Sequence, residues 1–176
     1  AKKQHIKVCH IEAGLRSYDL KMPEEINRLV TDRLSDLLLT PDRLSSENLR
    51  KEGVEDNKIV FVGNIMIDTL EANRARAASL NPVEIVQQNL LEGQSAKGQI
   101  VIPRQYALMT MHRPSNVDDK EVLTPLINLL LDEFSKTTPL FWPIHPRALS
   151  RLKEFGLLDK VMQHGGIVLL QPLGYH

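Results

Sequence analysis

The chain has 176 residues, with 22 basic side chains against 22 acidic ones, so its formal net charge is zero, and 42% of its residues are apolar. That balance argues against attachment to nucleic acid or an anionic membrane by charge alone, and the composition is that of a globular protein rather than a disordered one. The longest apolar stretches, Leu126 to Leu131 (broken by Asn128) and Ile167 to Leu170, fall far short of the roughly 20 apolar residues that a membrane-crossing helix needs.

Apolar runs and helical patterns alternate along the chain, the rhythm of βα units and a parallel sheet, so the fold class is α/β. The amino-terminal AKKQHIKVCH lacks the apolar run and cleavage site of a secretory signal. The single cysteine, Cys9, cannot form an internal disulfide, so a reducing, cytoplasmic setting fits best. Ile6 to Ile11 reads as a strand, with Cys9 as a buried thiol. Pro23 then sits where a first helical turn tolerates it and opens EEINRLVTDRLS, with apolar positions at Ile26, Leu29, Val30 and Leu34. Asp36 to Thr40 is the next strand. Thr40-Pro41 reads as a cap and a first-turn proline for a helix to about Glu52, stopped by Gly53. Lys58 to Val62 is a third strand. A long helical pattern runs from Ile65 to about Leu80, and Asn81-Pro82 separates it from a short helix ending near Leu91.

Residues 92–105 mix Gly, Ser and Lys with one Pro and show no sustained period, which predicts a linker or domain junction between residues 1–91 and 106–176. The rhythm then restarts: strand Tyr106 to Met111, loop HRPSNVDD, and helix Lys120 to Phe134, in which Pro125 marks a first turn capped by Thr124. Strand Leu140 to Ile144, helices over 146–164 and strand Ile167 to Leu170 follow. Phe141 and Trp142 read as sheet core. An apolar strand almost at the first residue, no initiator Met, and an end just after another strand make the chain read as part of a longer protein.

Open parallel sheets bind ligands at the carboxyl ends of their strands. The polar residues there are Glu12, His112 and His145, a carboxylate able to move a proton and imidazoles able to stabilise leaving-group charge. Glu24 and Glu25, in a first helical turn, are on position alone more simply dipole compensation. His10-Ile11-Glu12 places two potential ligands on one strand face, but the paired cysteines of a zinc deaminase are missing, and His10 reads as a packed strand residue. No dinucleotide or P-loop glycine pattern occurs.

Several segments together resemble the non-hydrolysing UDP-N-acetylglucosamine 2-epimerases: HIEAGLRSYDLKMPEEINRLVTDRLSDLLLTP, ENLRKEG, FVGNIMIDTL, YALMTMHRPSNVDD, FWPIHPR and LLQPLGY. The order and spacing of the HIEAGLRS, MPEEINR and HRPSNVD blocks carry the likeness. It implies two Rossmann-like domains facing across a cleft, the glycosyltransferase B-type arrangement, of which this chain holds part. It also implies UDP-N-acetylglucosamine as substrate, inverted at C2 through loss of UDP to 2-acetamidoglucal and re-addition, in a homodimer with no metal or other cofactor.

By the same resemblance Glu12 and Glu24 serve the C2 proton transfers and His112 meets the diphosphate. Arg113, Arg16 and His145 are further binding residues. Basic phosphate contacts and an upstream aspartate would precede Ala1, and a UDP-gripping SGG segment with its glutamate would follow His176. The isolated chain is therefore expected to show no turnover. His112-Arg113-Pro114-Ser115-Asn116 departs from the family's frequent HRREN, which bears on regulation. A hydrolysing epimerase and a non-catalytic sugar-nucleotide-binding protein are the alternatives.

Overall fold

The computed structural model describes residues 1–94 and 101–175, and these form two compact units, Ala1–Ala75 and Arg76–His176. Each unit carries a three-stranded, all-parallel sheet in sequential order, so the α/β class read from the sequence holds in both.

In the first unit β1 (Cys9–Ile11), α1 (Pro23–Leu34), β2 (Leu37–Thr40), α2 (Arg43–Lys51) and β3 (Ile59–Phe61) alternate, and α3 (Ile65–Ala78), within which the unit ends at Ala75, follows. Pro23 opens α1 as expected, its missing N–H being one the first turn leaves unbonded anyway. Gly53, at φ 80°, ends the second helical segment in a conformation that suits glycine. The cap of α2 differs from expectation. Asp42, not Thr40, accepts the Ser45 N–H at 2.6 Å, because Thr40 is still strand and its buried hydroxyl bonds Ser46 Oγ at 2.7 Å.

The core of this unit is small: Ala13, Leu38 and Leu49, with Val54 and Ile59 against it. Its most informative departure is α1. Ile26, Val30 and Leu34, spaced four apart, are about half exposed at 49%, 52% and 49%. The buried positions of the helix are Glu25 and Asp32, because those carboxylates find backbone amides and cations inside. Cys9 is exposed, on an outward-facing position of β1, and not the buried thiol expected.

In the second unit α4 (Pro82–Gln88) precedes β4 (Ala107–Leu108), α5 (Pro114–Val117), α6 (Lys120–Leu129) and α7 (Ser135–Thr137). Then come β5 (Leu140–Pro143), α8 (Pro146–Glu154), α9 (Leu158–Gln163) and β6 (Ile167–Leu170). A π-helical turn, Leu130–Phe134, joins α6 to α7. Successive side chains of β5 point to opposite faces. Trp142, fully buried, packs with Leu123, Ile127, Leu152 and Ile167, while Phe141 packs with Leu170 and Val86 of α4. The sheet-core reading of both aromatics holds. Pro125 lies inside α6, whose cap is Asp119 accepting the Glu121 N–H at 2.8 Å. Thr124 caps nothing, its hydroxyl being buried and without a hydrogen-bond partner among the described residues.

The two units divide between Ala75 and Arg76, upstream of the 92–105 junction read from composition. Residues 95–100 of that stretch lie outside the described residues. Before them, Leu90 bridges Leu170 and buried Gln94 accepts the Leu169 N–H at 2.8 Å, so this stretch is packed onto the second sheet by hydrogen bonds that composition does not reveal. No helix among the described residues is long and apolar enough to cross a membrane.

Candidate active site

Glu12 is the first residue past β1. Its backbone is left-handed at φ 65°, a conformation that costs a non-glycine residue on the order of 1 kcal/mol and persists only where its surroundings impose it. The surroundings here are explicit. Ala13, fully buried, donates its N–H to the Leu39 carbonyl at 3.0 Å, prolonging the sheet by one bond. Gly14 donates to Asp32 at 3.1 Å and accepts from Asn48 Nδ2 at 3.0 Å. A Cβ on Gly14 would meet the Ser45 carbonyl oxygen at 2.3 Å, so only glycine lets the loop approach α2 this closely.

The far end of the loop is held from α1. Glu25, 1% exposed, accepts the N–H groups of Ser17 and Tyr18 at 3.0 Å and the Arg28 guanidinium at 3.0 Å. The Ser17 amide first, then Tyr18 and Arg28, hold its carboxyl well below the usual range, at about 2, against the opposing effect of burial. The two acids of MPEEINR thus separate in role. Glu25 grips the loop, beyond the dipole compensation read from its position. Glu24 is exposed, and neither it nor half-buried Glu12 has a hydrogen-bond or ion-pair partner among the described residues.

Arg16, expected as a binding residue, faces inward with its side chain 1% exposed. Its Nε and one terminal nitrogen donate to the two Glu52 oxygens at 2.7 and 2.6 Å. Its other terminal nitrogen meets Asp32 at 2.7 Å and the Leu15 carbonyl at 2.8 Å. Glu52, then Asp32, raise its pKa further above the ordinary arginine range while burial opposes them. A fork so engaged holds the loop rather than a ligand. His10, read as a packed residue, is half-buried, with Nδ1 2.6 Å from Asp32.

In the second unit the carboxyl ends of β4 and β5 bring His112 and His145 together, their ring centroids 5.5 Å apart and tilted by 32°. His145 caps α8, its Nδ1 accepting the Arg147 N–H at 3.1 Å. An acceptor Nδ1 leaves the ring proton on Nε2, where it can donate to an anion. Arg113, exposed, immediately precedes Pro114 at the start of α5. Asp118, closing α5, accepts from Arg147 at 2.9 and 2.5 Å and from Arg151 at 3.2 Å, tying the His112 segment to the helix that His145 begins. Arg147 first, with Arg151, holds the Asp118 carboxyl below its ordinary range.

Sequence reasoning missed Asp32, Asn48, Glu52 and Asp118. A signal for the first was present: Glu25, Arg28 and Asp32 recur at i, i+3 and i+7, a polar stripe at helical spacing. The other partners come from distant segments and left none.

Residues 1–176 match the family described as UDP-N-acetylglucosamine 2-epimerase. The UDP-N-acetylglucosamine 2-epimerase of Methanocaldococcus jannaschii is 39% identical over 178 aligned residues, covering 99% of this chain and 45% of the relative. The UDP-2,3-diacetamido-2,3-dideoxy-D-glucuronate 2-epimerase of Pseudomonas aeruginosa is 36% identical, covering 99% of this chain and 44% of the relative. Among solved structures, the M. jannaschii UDP-GlcNAc 2-epimerase in complex with UDP-GlcNAc and UDP superposes with a TM-score of 0.81 at 37% identity, covering 98% of this chain and 45% of that one. The Neisseria meningitidis enzyme bound to UDP-GlcNAc gives 0.73 at 29%, covering 98% and 44%. The chain thus spans a little under half the length of these relatives.

Proposed function

Because the chain belongs to the UDP-N-acetylglucosamine 2-epimerase family, we propose that the full-length protein interconverts UDP-GlcNAc and its C2 epimer, UDP-ManNAc, for cell-surface polysaccharide precursors in the cytoplasm. The observation that carries this reading is the contrast within the first unit. Glu25, Asp32 and Glu52 are all engaged in holding the loop after β1, while Glu12 and Glu24 have no partner among the described residues. A carboxylate without partners is available to take a proton or return one.

The C2 proton is weakly acidic, since no carbonyl adjoins it, so its removal is coupled to departure of the diphosphate. As a carboxylate takes the proton, the C2–H electrons form the C1=C2 bond of 2-acetamidoglucal, and the C1–O electrons leave with UDP. The reverse steps with protonation from the other face give the epimer. Glu12 and Glu24 are the proposed proton carriers. Donors beside the diphosphate stabilise the charge that develops on it, the task proposed for His112 and for the Nε2 proton of His145, with Arg113 as a further contact. A homodimer follows from the family resemblance.

The test is proton NMR of UDP-GlcNAc incubated with the full-length gene product in deuterated water, beside Glu12→Gln. The reading expects deuterium at C2 and UDP-ManNAc with the wild type, and neither with the variant. Release of free ManNAc and UDP would instead identify a hydrolysing epimerase. Binding without C2 exchange would identify a sugar-nucleotide-binding protein. The likeness to the Pseudomonas relative makes UDP-2,3-diacetamido-2,3-dideoxy-D-glucuronate the competing substrate, and preference for it in the same assay would move the substrate assignment.

A further inference from the structure

We propose that Asp32 is the positioning residue for Glu12, acting through the backbone and never touching substrate. This role rests on the epimerase reading of Glu12; the geometry behind it does not. Asp32 projects from the third turn of α1 and is 3% exposed. One carboxylate oxygen meets His10 Nδ1 at 2.6 Å; the other accepts the Gly14 N–H at 3.1 Å and an Arg16 nitrogen at 2.7 Å. Those partners lie two residues before Glu12, two after it and four after it, so one buried carboxylate holds the chain on both sides of the proposed proton carrier.

Three features distinguish this carboxylate from an ordinary buried ion pair. All of these contacts go to the segment that flanks Glu12, and none to the apolar cluster of Ala13, Leu38 and Leu49. The peptide they fix carries the left-handed residue, Glu12 at φ 65°, which would relax to a commoner conformation if either flank were released. Arg16 has a second anchor in Glu52, so loss of Asp32 leaves its charge paired while freeing the His10 side chain and the Gly14 amide. Proton transfer at a carbon that is weakly acidic tolerates little misplacement, because a displacement of about 1 Å in a reacting group can lower a rate about a hundredfold.

Asp32→Asn keeps the side chain's size and one acceptor oxygen but sets an NH2 against donors that met a carboxylate. Tested in the full-length protein with UDP-GlcNAc, it is expected to lower kcat at least tenfold, to leave KM within twofold, and to slow C2 deuterium exchange in proportion. Asp36→Asn is the reference: its carboxylate accepts the Val8 N–H at 2.8 Å at the opposite end of β1, and it is expected to keep kcat within twofold. A kcat for Asp32→Asn within twofold of wild type, or a rise in KM that accounts for the loss, overturns the proposal.

If Asp32→Asn does not fold, His10→Gln removes one partner alone and decides the matter. A kcat at least threefold lower at unchanged KM supports the role, and an unchanged kcat refutes it. If the wild type itself turns over no UDP-GlcNAc, the epimerase reading has failed independently. Amide hydrogen exchange then tests the positioning directly: faster exchange at Ala13 and Gly14 in the folded variant supports it, with Ser17 and Tyr18 still protected by Glu25, and unchanged protection overturns it.

Discussion

Replacing Glu25 by Gln tests how the loop after β1 is held. The wild-type carboxylate is buried and accepts two backbone N–H groups and one guanidinium, each at 3.0 Å. Gln offers one acceptor oxygen and turns an NH2 toward groups that themselves donate, so at least one buried N–H loses its partner. Hydrogen bonds to charged groups contribute about 1.5 to 3 kcal/mol, and an orphaned buried donor costs about 1 to 3 kcal/mol. The expected destabilisation at neutral pH is therefore about 3 kcal/mol. Its pH dependence carries a definite sign. The folded carboxyl is depressed to about 2, whereas an unperturbed glutamate titrates near 4.5. The stabilisation is fully present above the unfolded value and is lost as pH falls from there through the folded one. Urea unfolding of wild type and Glu25→Gln at neutral pH and at several acid values should give a stability gap that is constant above about pH 5.5 and narrows steadily below it. A gap under about 0.5 kcal/mol at neutral pH, smaller than loss of any one such bond, would refute the clamp. A gap that does not change with pH would refute its electrostatic origin.

Two further outcomes follow from the geometry. Gly14→Ala should destabilise the protein by at least about 2 kcal/mol, from left-handed strain together with a Cβ only 2.3 Å from the Ser45 carbonyl oxygen, and thermal unfolding would measure it. His145→Asn should keep stability within about 0.5 kcal/mol, since asparagine caps a helix equally well. It should still weaken UDP-GlcNAc binding about fivefold in calorimetry, the loss of roughly one neutral hydrogen bond from Nε2.

Much of this architecture is legible in the sequence. The βα rhythm gave the parallel class, and Pro23, Gly53 and Asn81-Pro82 marked helix ends, because backbone constraints act within a few residues and so leave a local signature. The span of β6 was read as the structure has it. The errors came where a distant partner decides the outcome. Thr40 followed by Pro41 is a plausible cap in isolation, yet pairing with β3 keeps Thr40 in the strand. The apolar positions of α1 mark it as a helix but do not reveal that Glu25 and Asp32 are its buried residues, because most of their partners arrive from residues 10–18. Within the candidate site, Glu12 is legible from its place at the carboxyl end of a strand, whereas a role for Glu24 comes only from motif resemblance. The engagement of Arg16 was invisible, since nothing near it in sequence announces Glu52.

The inward polar stripe of α1 holds the loop after β1 at two separate places. Glu25 holds one end of the loop, at Ser17 and Tyr18, and Asp32 holds the other, at His10, Gly14 and Arg16. Between them lie two helical turns, about 10 Å of rigid backbone. Glu24 is bonded covalently to the first grip and Glu12 sits between contacts of the second. The helix therefore acts as a ruler between the segments that carry Glu12 and Glu24, and bending or sliding the loop would require breaking buried charge-assisted bonds. A helix that used its inner face for apolar packing could have been more stable on its own, since buried ion pairs often contribute little net stability. What the polar face provides is direction: hydrogen bonds fix the orientation of the segment that presents Glu12, whereas apolar contacts would leave it free to slide.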